Sequence, residues 1–225
     1  MFARKSVHNM NDNLQFWISV VISLIAIAFT GYQQYIANKQ FLFEKRLYLY
    51  RMYTILVKHQ EDATLYFKNK SPEELCVDDR LIGVLTNDVT LESGAVGWND
   101  RNDGNPLMKT ENHKLFLSMI EKLRGYGIES SFVFTNKYGK NLCNYFNKYA
   151  DLCFKTYQYS ISREHIDDEN KILNIRNDAL PFDEVKDRQK SLHIELNQIY
   201  GDLCKISESI NISDLEKTIS FIRRR

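Results

Sequence analysis

The residues best suited to recognition chemistry lie in KYGKNLCNYFNKY, where Lys137, Lys140, Asn141, Asn144 and Lys148 recur every one to four residues. At helical spacing they share one side, with Tyr138, Tyr145 and Tyr149 interleaved. Lysines neutralise phosphates, asparagines reach base edges and tyrosines stack on bases. A ligand set of Lys137, Lys140, Asn141, Asn144, Tyr145 and Lys148 would therefore suit a nucleotide or oligonucleotide. The plainer and commoner use of such residues is a solvated helix face opposite the stripe Leu142, Phe146 and Cys153.

Other candidates for chemistry are weaker. Asp100, Asn102 and Glu111 fall at positions 1, 3 and 12 of a calcium loop, but Gly104 and Asn105 stand where a ligand and the turn glycine belong. His165 beside Asp167, Asp168 and Glu169 has no second histidine nearby, so a solvated joint is the better reading. There is no P-loop, Rossmann glycine pattern, HExxH or GxSxG motif. The five histidines, His8, His59, His113, His165 and His193, are scattered. Cys76, Cys143, Cys153 and Cys204 form no CxxC pair and each lies in an apolar-periodic neighbourhood, which suits buried free thiols in a reducing compartment. The expectation is a protein that is not an enzyme and carries no metal or cofactor.

The element that must position all of this is Leu14 to Tyr32, LQFWISVVISLIAIAFTGY, inside an uncharged run from Asn13 to Asn38. About 20 apolar residues suffice to cross a hydrocarbon core of about 30 Å. Trp17 lies near one end of the run, and Tyr32 and Tyr35 near the other, where amphipathic rings suit headgroups. A transmembrane helix over 14–35 is expected. Ala26-Ile27-Ala28 has the form of a signal-peptidase site, but FTGYQQYIANKQF after it continues the helical pattern. Gln15, Ser19, Ser23, Ala26 and Thr30, with Gln33 beyond them, recur on one face of the span. Small and hydroxylated faces let membrane helices pack closely, and several copies could also line a pore.

Lys39, Lys45, Arg46 and Arg51 outnumber Arg4 and Lys5, which places the C-terminal part in the cytoplasm and residues 1–13 outside as a short tail. A net charge of +1 gives no global pull towards nucleic acid. Few glycines and prolines favour helices over a sandwich or barrel. Beyond the span, Leu42, Leu49 and Leu56 repeat every seven residues, flanked by Phe41, Tyr48 and Ile55. This pattern predicts a stalk helix over 36–68 whose seam is filled by its own chain or, less often, by another subunit.

One span followed by FEKRLYLY resembles a broad group of small bacterial single-pass proteins of unassigned function, some of them effectors of anti-phage defence. The resemblance covers residues 14–57. It implies a bacterial inner-membrane protein with a cytoplasmic helical domain, and it transfers no functional residues.

Along residues 69–225, Ser71-Pro72-Glu73-Glu74 predicts a helix start, with that helix running to about Asp88. A loop over 93–110 and a helix from Glu111 to about Arg124 follow. Gly125 and Gly127 predict a break, with SSFVFT as a strand or turn. A helix from Asn136 to about Ser160 precedes SREHIDDEN, read as a polar joint. Leu192, Leu196, Ile199, Leu203 and Ile206 mark a helix starting near Pro181, and Ser213 is expected to cap a last one before Arg223–Arg225. That terminal arginine run would suit anionic lipid or nucleic acid, although charged tails are often idle.

The expected fold is all-α: a transmembrane helix, a stalk and a helical bundle. The expected function is an oligomeric inner-membrane effector, its partners being the bilayer, further copies of itself, and a nucleotide-type ligand or the product of a neighbouring gene. The alternative is a membrane-anchored protein-binding module without enzymatic activity.

Overall fold

The protein is described by a computed structural model covering residues 3–67, 81–86, 110–134, 136–176 and 182–220, with side chains described at 15–67, 81–86, 113–134, 137–160, 187 and 190–219. It is all-α, and no strand occurs among the described residues. The helices are α1 (Ala3–Phe67), α2 (residues 81–86), α3 (Thr110–Val133), α4 (Asn136–Arg176), α5 (Phe182–Glu208) and α6 (Ile212–Ser220).

α1 runs unbroken for 65 residues, roughly 100 Å at the α-helical rise. Its two halves meet different surroundings. From Phe16 to Phe29 the large apolar side chains are exposed, and none of the most apolar stretch is buried against the rest of the chain. By length and composition this is the one described helix able to cross a membrane, which fits a membrane anchor. The helical backbone also includes residues 3–13, assigned above to a tail.

The lower half of α1 is part of the core. Leu49, Tyr53, Leu56, Gln60, Ala63 and Phe67 alternate steps of four and three, and all are buried. That repeat keeps one side of a helix facing its partners. The seam is filled by this chain itself, through α3, α4, α5 and α6. Leu42 and Phe41, at the top of the sequence pattern, stay exposed.

Three local expectations are corrected. Gly125 and Gly127 do not end α3, and SSFVFT is not a strand, because α3 continues to Val133. The hydroxyl of Ser130 donates to the carbonyls of Tyr126 and Gly127, and that of Ser131 to Ile128, so both serines are satisfied within the helix. The polar joint at SREHIDDEN is helical too: no glycine or proline lies between Gly139 and Pro181, and α4 runs on to Arg176. Finally, Asn211 rather than Ser213 caps α6. Its Oδ1 accepts from the Asp214 amide at 3.3 Å, three residues on, where an N-cap side chain reaches.

α3 and α4 form the most extensive helix pair, and their backbones come close together at two glycines. A Cβ on Gly139 would lie 2.5 Å from the Phe134 carbonyl oxygen and 3.0 Å from that of Ser130. One on Gly127 would lie 3.2 Å from the Cys143 carbonyl oxygen. Gly139 is therefore required by close approach and Gly127 sits in a tight one, whereas a Cβ on Gly125 meets nothing within 4 Å.

Gly139→Ala should cost about 1–3 kcal/mol by overpacking backbone that cannot yield. Gly125→Ala, in the same pair of helices, should be neutral or stabilising by about 0.5–1 kcal/mol through helix propensity. Denaturant unfolding of both full-length variants in detergent, followed by circular dichroism, checks the contrast.

Candidate functional site

The α4 face is divided by the fold. Lys137, Lys140 and Asn144 are exposed. Asn141 donates to Ser209 Oγ at 3.4 Å, and Lys148 lies 3.6 Å from Asp202 of α5. Tyr145 and Tyr149 leave the set altogether, both fully buried in the core. Tyr149 belongs with the apolar stripe of Leu142, Phe146 and Cys153, and Tyr145 is out of phase with the lysines. Tyr145 is three residues from Leu142 and next to Phe146, so it turns inward with them. Of the three interleaved rings only Tyr138 stays partly exposed beside the lysines, its hydroxyl donating to Asp214 at 3.4 Å.

The buried tyrosines serve a different arrangement, centred on Gln60 of α1. Its Oε1 accepts from the Tyr145 hydroxyl at 3.0 Å, and its Nε2 donates to Ser207 Oγ at 3.1 Å and approaches Cys204 Sγ at 3.3 Å. The Gln60 carbonyl accepts from the Tyr200 hydroxyl at 2.9 Å, and Thr64 Oγ1 meets that hydroxyl at 2.6 Å. Tyr149 donates to the Leu85 carbonyl of α2 at 2.8 Å, with His59 Nδ1 3.4 Å from the same oxygen. Aromatic contacts surround the polar atoms: Tyr53 meets Tyr145 edge-on at 4.9 Å, and Phe67 stacks on Tyr200 at 4.2 Å. Among the described residues no buried side-chain nitrogen or oxygen lacks a hydrogen-bond partner.

Burial keeps these groups neutral. It pushes the Tyr145 and Tyr149 phenols well above the usual tyrosine range. Tyr53 is raised to about 12, and Tyr200 to about 12 despite the opposing bond from Thr64. The buried Cys153 thiol is likewise raised, which leaves it a poor nucleophile. This junction can hold α1 in a unique register against α2, α4 and α5, and that is a mechanical task.

Nearer the apolar half of α1, a second set of contacts clasps the helix. Lys45 pairs with Glu129 at 3.1 Å, and the Tyr48 and Tyr126 hydroxyls meet at 2.6 Å. Arg46 Nε donates to the Val133 carbonyl at 2.8 Å, and the Tyr50 hydroxyl donates to Glu216 of α6 at 2.6 Å.

Within the apolar half of α1, Ser23 Oγ donates to the Ser19 carbonyl and Thr30 Oγ1 to that of Ala26, each at 2.8 Å. Two hydroxyls of the stripe Gln15, Ser19, Ser23, Ala26 and Thr30 are thus satisfied by their own helix. No group of three or more possible metal-ligating side chains occurs among the described residues. The Asp100 loop, Ser71–Glu74, Cys76, the side chains around His165, and Arg223–Arg225 lie outside the described residues.

Sequence reasoning missed Gln60, Thr64, Tyr200 and Ser207. The signal was present, since Gln60 is a polar residue at an inward position of the Leu49–Phe67 repeat. An amide there needs buried partners. No family model, curated protein sequence or solved structure matches the chain.

Two outcomes follow for the junction. Gln60→Leu and Tyr145→Phe each orphan one buried partner and should cost about 1–3 kcal/mol. The double variant should cost less than their sum by about 0.5–3 kcal/mol, read from a double-mutant unfolding cycle. The raised phenols also set an alkaline limit. Their folded pKa exceeds the unfolded value, so their contribution is complete below pH 10 and declines as pH rises towards 12. Phenolate absorbance should show Tyr53 and Tyr200 ionising late or only with unfolding.

Proposed function

We propose that the chain is a single-span membrane effector in which the helical bundle sets the position of the membrane helix. The observation that supports this is the continuity of α1, which passes from an unburied apolar half into the core without a break. A tether that only retained a protein at a membrane would work with a flexible linker. A helix locked into the bundle by Gln60 and its partners instead carries rotation and displacement to its far end.

In this reading several copies associate through Gln15, Ser19, Ser23, Ala26 and Thr30, and a change in the bundles reorients these faces to make the membrane permeable. The compartment is the bacterial inner membrane, as the resemblance implies, with the bundle in the cytoplasm, as the lysine and arginine asymmetry suggests. Anti-phage defence is the setting that the resemblance implies. Burial of Tyr145 and Tyr149 leaves Tyr138 as the one partly exposed ring of the three interleaved tyrosines, which weakens the nucleotide reading and favours a partner protein as the signal. The second reading, a non-enzymatic anchored binding module, draws on the bonds of Ser23 and Thr30 to their own carbonyls, which leave these two hydroxyls satisfied without water.

Replacing Ser19, Ser23 and Thr30 together by Leu keeps the span apolar but crowds the contact and removes its hydroxyls. The effector reading expects overexpressed wild type to collapse the membrane potential and the triple variant to reach the membrane without doing so. An unaltered dye signal from fully activated wild type would instead support the anchored module.

A further inference from the structure

α1 and α3 form a layer that α4 covers on one side. The two helices run antiparallel: Tyr126 meets Tyr48 and Glu129 meets Lys45, so three residues along one match three back along the other. α4 lies where Tyr53 packs on Tyr145 and where Gly127 closely approaches Cys143. Helical phase shows what is turned the other way. At 100° per residue, the row Glu44, Arg51, Lys58 and Asp62 stands about 90° from the residues of α1 that face α3. It stands about 160° from the buried seam of Leu49, Tyr53, Leu56 and Gln60. On α3, the row Glu121, Gly125, Ile128 and Phe132 stands about 100° from Tyr126 and Glu129. Both offsets have the same sense along the chain, which for antiparallel neighbours puts the two rows on one side of the layer, opposite α4.

That side is open and partly apolar. Ile128 is 58% and Phe132 82% exposed, and Phe41, at the height of Phe132 by the same register, is 59% exposed. The four charged residues of the α1 row and Glu121 are exposed as well. The stripe Gln15, Ser19, Ser23, Ala26 and Thr30 is centred about 40° from the α1 row, towards α3. Stripe and open side therefore make one continuous face along α1.

We infer that a second copy of this chain covers this face, in a two-fold pair whose axis lies along the membrane normal. Copies inserted in the same sense have parallel α1 helices, so an isologous pair has no other axis available. Heights are preserved by that axis, and α1 of each copy lies against α3 of the other. Glu121 then comes within two residues, about 3 Å in height, of Arg51 in the second copy, and exposed Lys114 likewise of Asp62. Opposite charges face each other at two levels, while Lys58, at the height of Lys114, has Asp62 four residues on along its own helix. Ile128, Phe132 and Phe41 supply the apolar part nearer the span. From Phe41 to Asp62 the open side is about 32 Å long and two helices, about 20 Å, wide. With about 22 Å by 10 Å of stripe, it matches the roughly 800 Å² per partner of a stable interface. The inference deepens the association of copies proposed above and rests on it.

The test uses membranes from cells co-expressing two differently tagged full-length copies, oxidised with copper phenanthroline. Arg51→Cys in one copy and Glu121→Cys in the other should give a disulfide-linked pair carrying both tags, several-fold above wild type with its native cysteines. Lys190→Cys, exposed on α5, in place of Glu121→Cys should stay at the wild-type level. Equal linkage there would mean random collision and overturn the inference. Phe132→Asp in both copies changes a side chain that the fold leaves exposed, and should lower the Arg51→Cys to Glu121→Cys linkage several-fold. An unchanged yield would also overturn it. Ala26→Cys in both copies separates the two readings. Linkage at Ala26→Cys without linkage between Arg51→Cys and Glu121→Cys overturns this inference and leaves association through the stripe standing. No linkage at either place overturns both.

Discussion

A primary amide inside a protein core must have its acceptor and its donors met, and in this chain that requirement falls on Gln60. Its side chain and carbonyl engage Tyr145 of α4 and Tyr200 and Ser207 of α5. A slide of α1 by one residue would turn Gln60 through about 100° and strand several of these groups in a low-dielectric interior. Apolar packing alone tolerates small shifts more readily than such a network does. Register, rotation and height of α1 are thereby fixed together, and everything attached to that helix inherits them.

The consequence extends well beyond the core. Asn38, where the uncharged run ends, lies roughly 33 Å from Gln60 along the same helix. Between them, the contacts of Lys45, Arg46, Tyr48 and Tyr50 with α3 and α6 hold the helix against sideways motion. The close approach at Gly127 and Gly139 makes α3 and α4 one unit, so the clasp near the span and the amide junction share a frame. A change that repacks α4 or α5 around Gln60 has a direct mechanical route to the apolar half of α1.

The coarse plan was legible in residues whose patterns are long. The charge-free run and the seven-residue leucine repeat announced α1, and the stripe from Leu192 to Ile206 announced α5. Errors arose where a short local signal competed with packing. Glycines at 125 and 127 read as breakers because nothing in one strand of text reveals that Gly127 admits the backbone of α4. Polar SREHIDDEN read as a joint, though the absence of glycine and proline permitted a helix. Tyr145 was misplaced for a related reason: lysines and asparagines define a face only loosely, and tyrosine is at home on either side. Gln60 shows the opposite case, where an inward polar position was visible but its partners, 85 to 147 residues away, were not.

Mechanical coupling of the bundle to the apolar half of α1 depends on that helix behaving as one rigid element. Residues 36–44 are the critical stretch, since most of their side chains are exposed. Hydrogen exchange on the full-length protein in lipid nanodiscs addresses it directly. Protection of backbone amides should continue without a gap from the span through residues 36–44 to Phe67. Rapid exchange confined to 36–44, between protected segments on both sides, would reveal a hinge and contradict mechanical coupling of the bundle to the membrane.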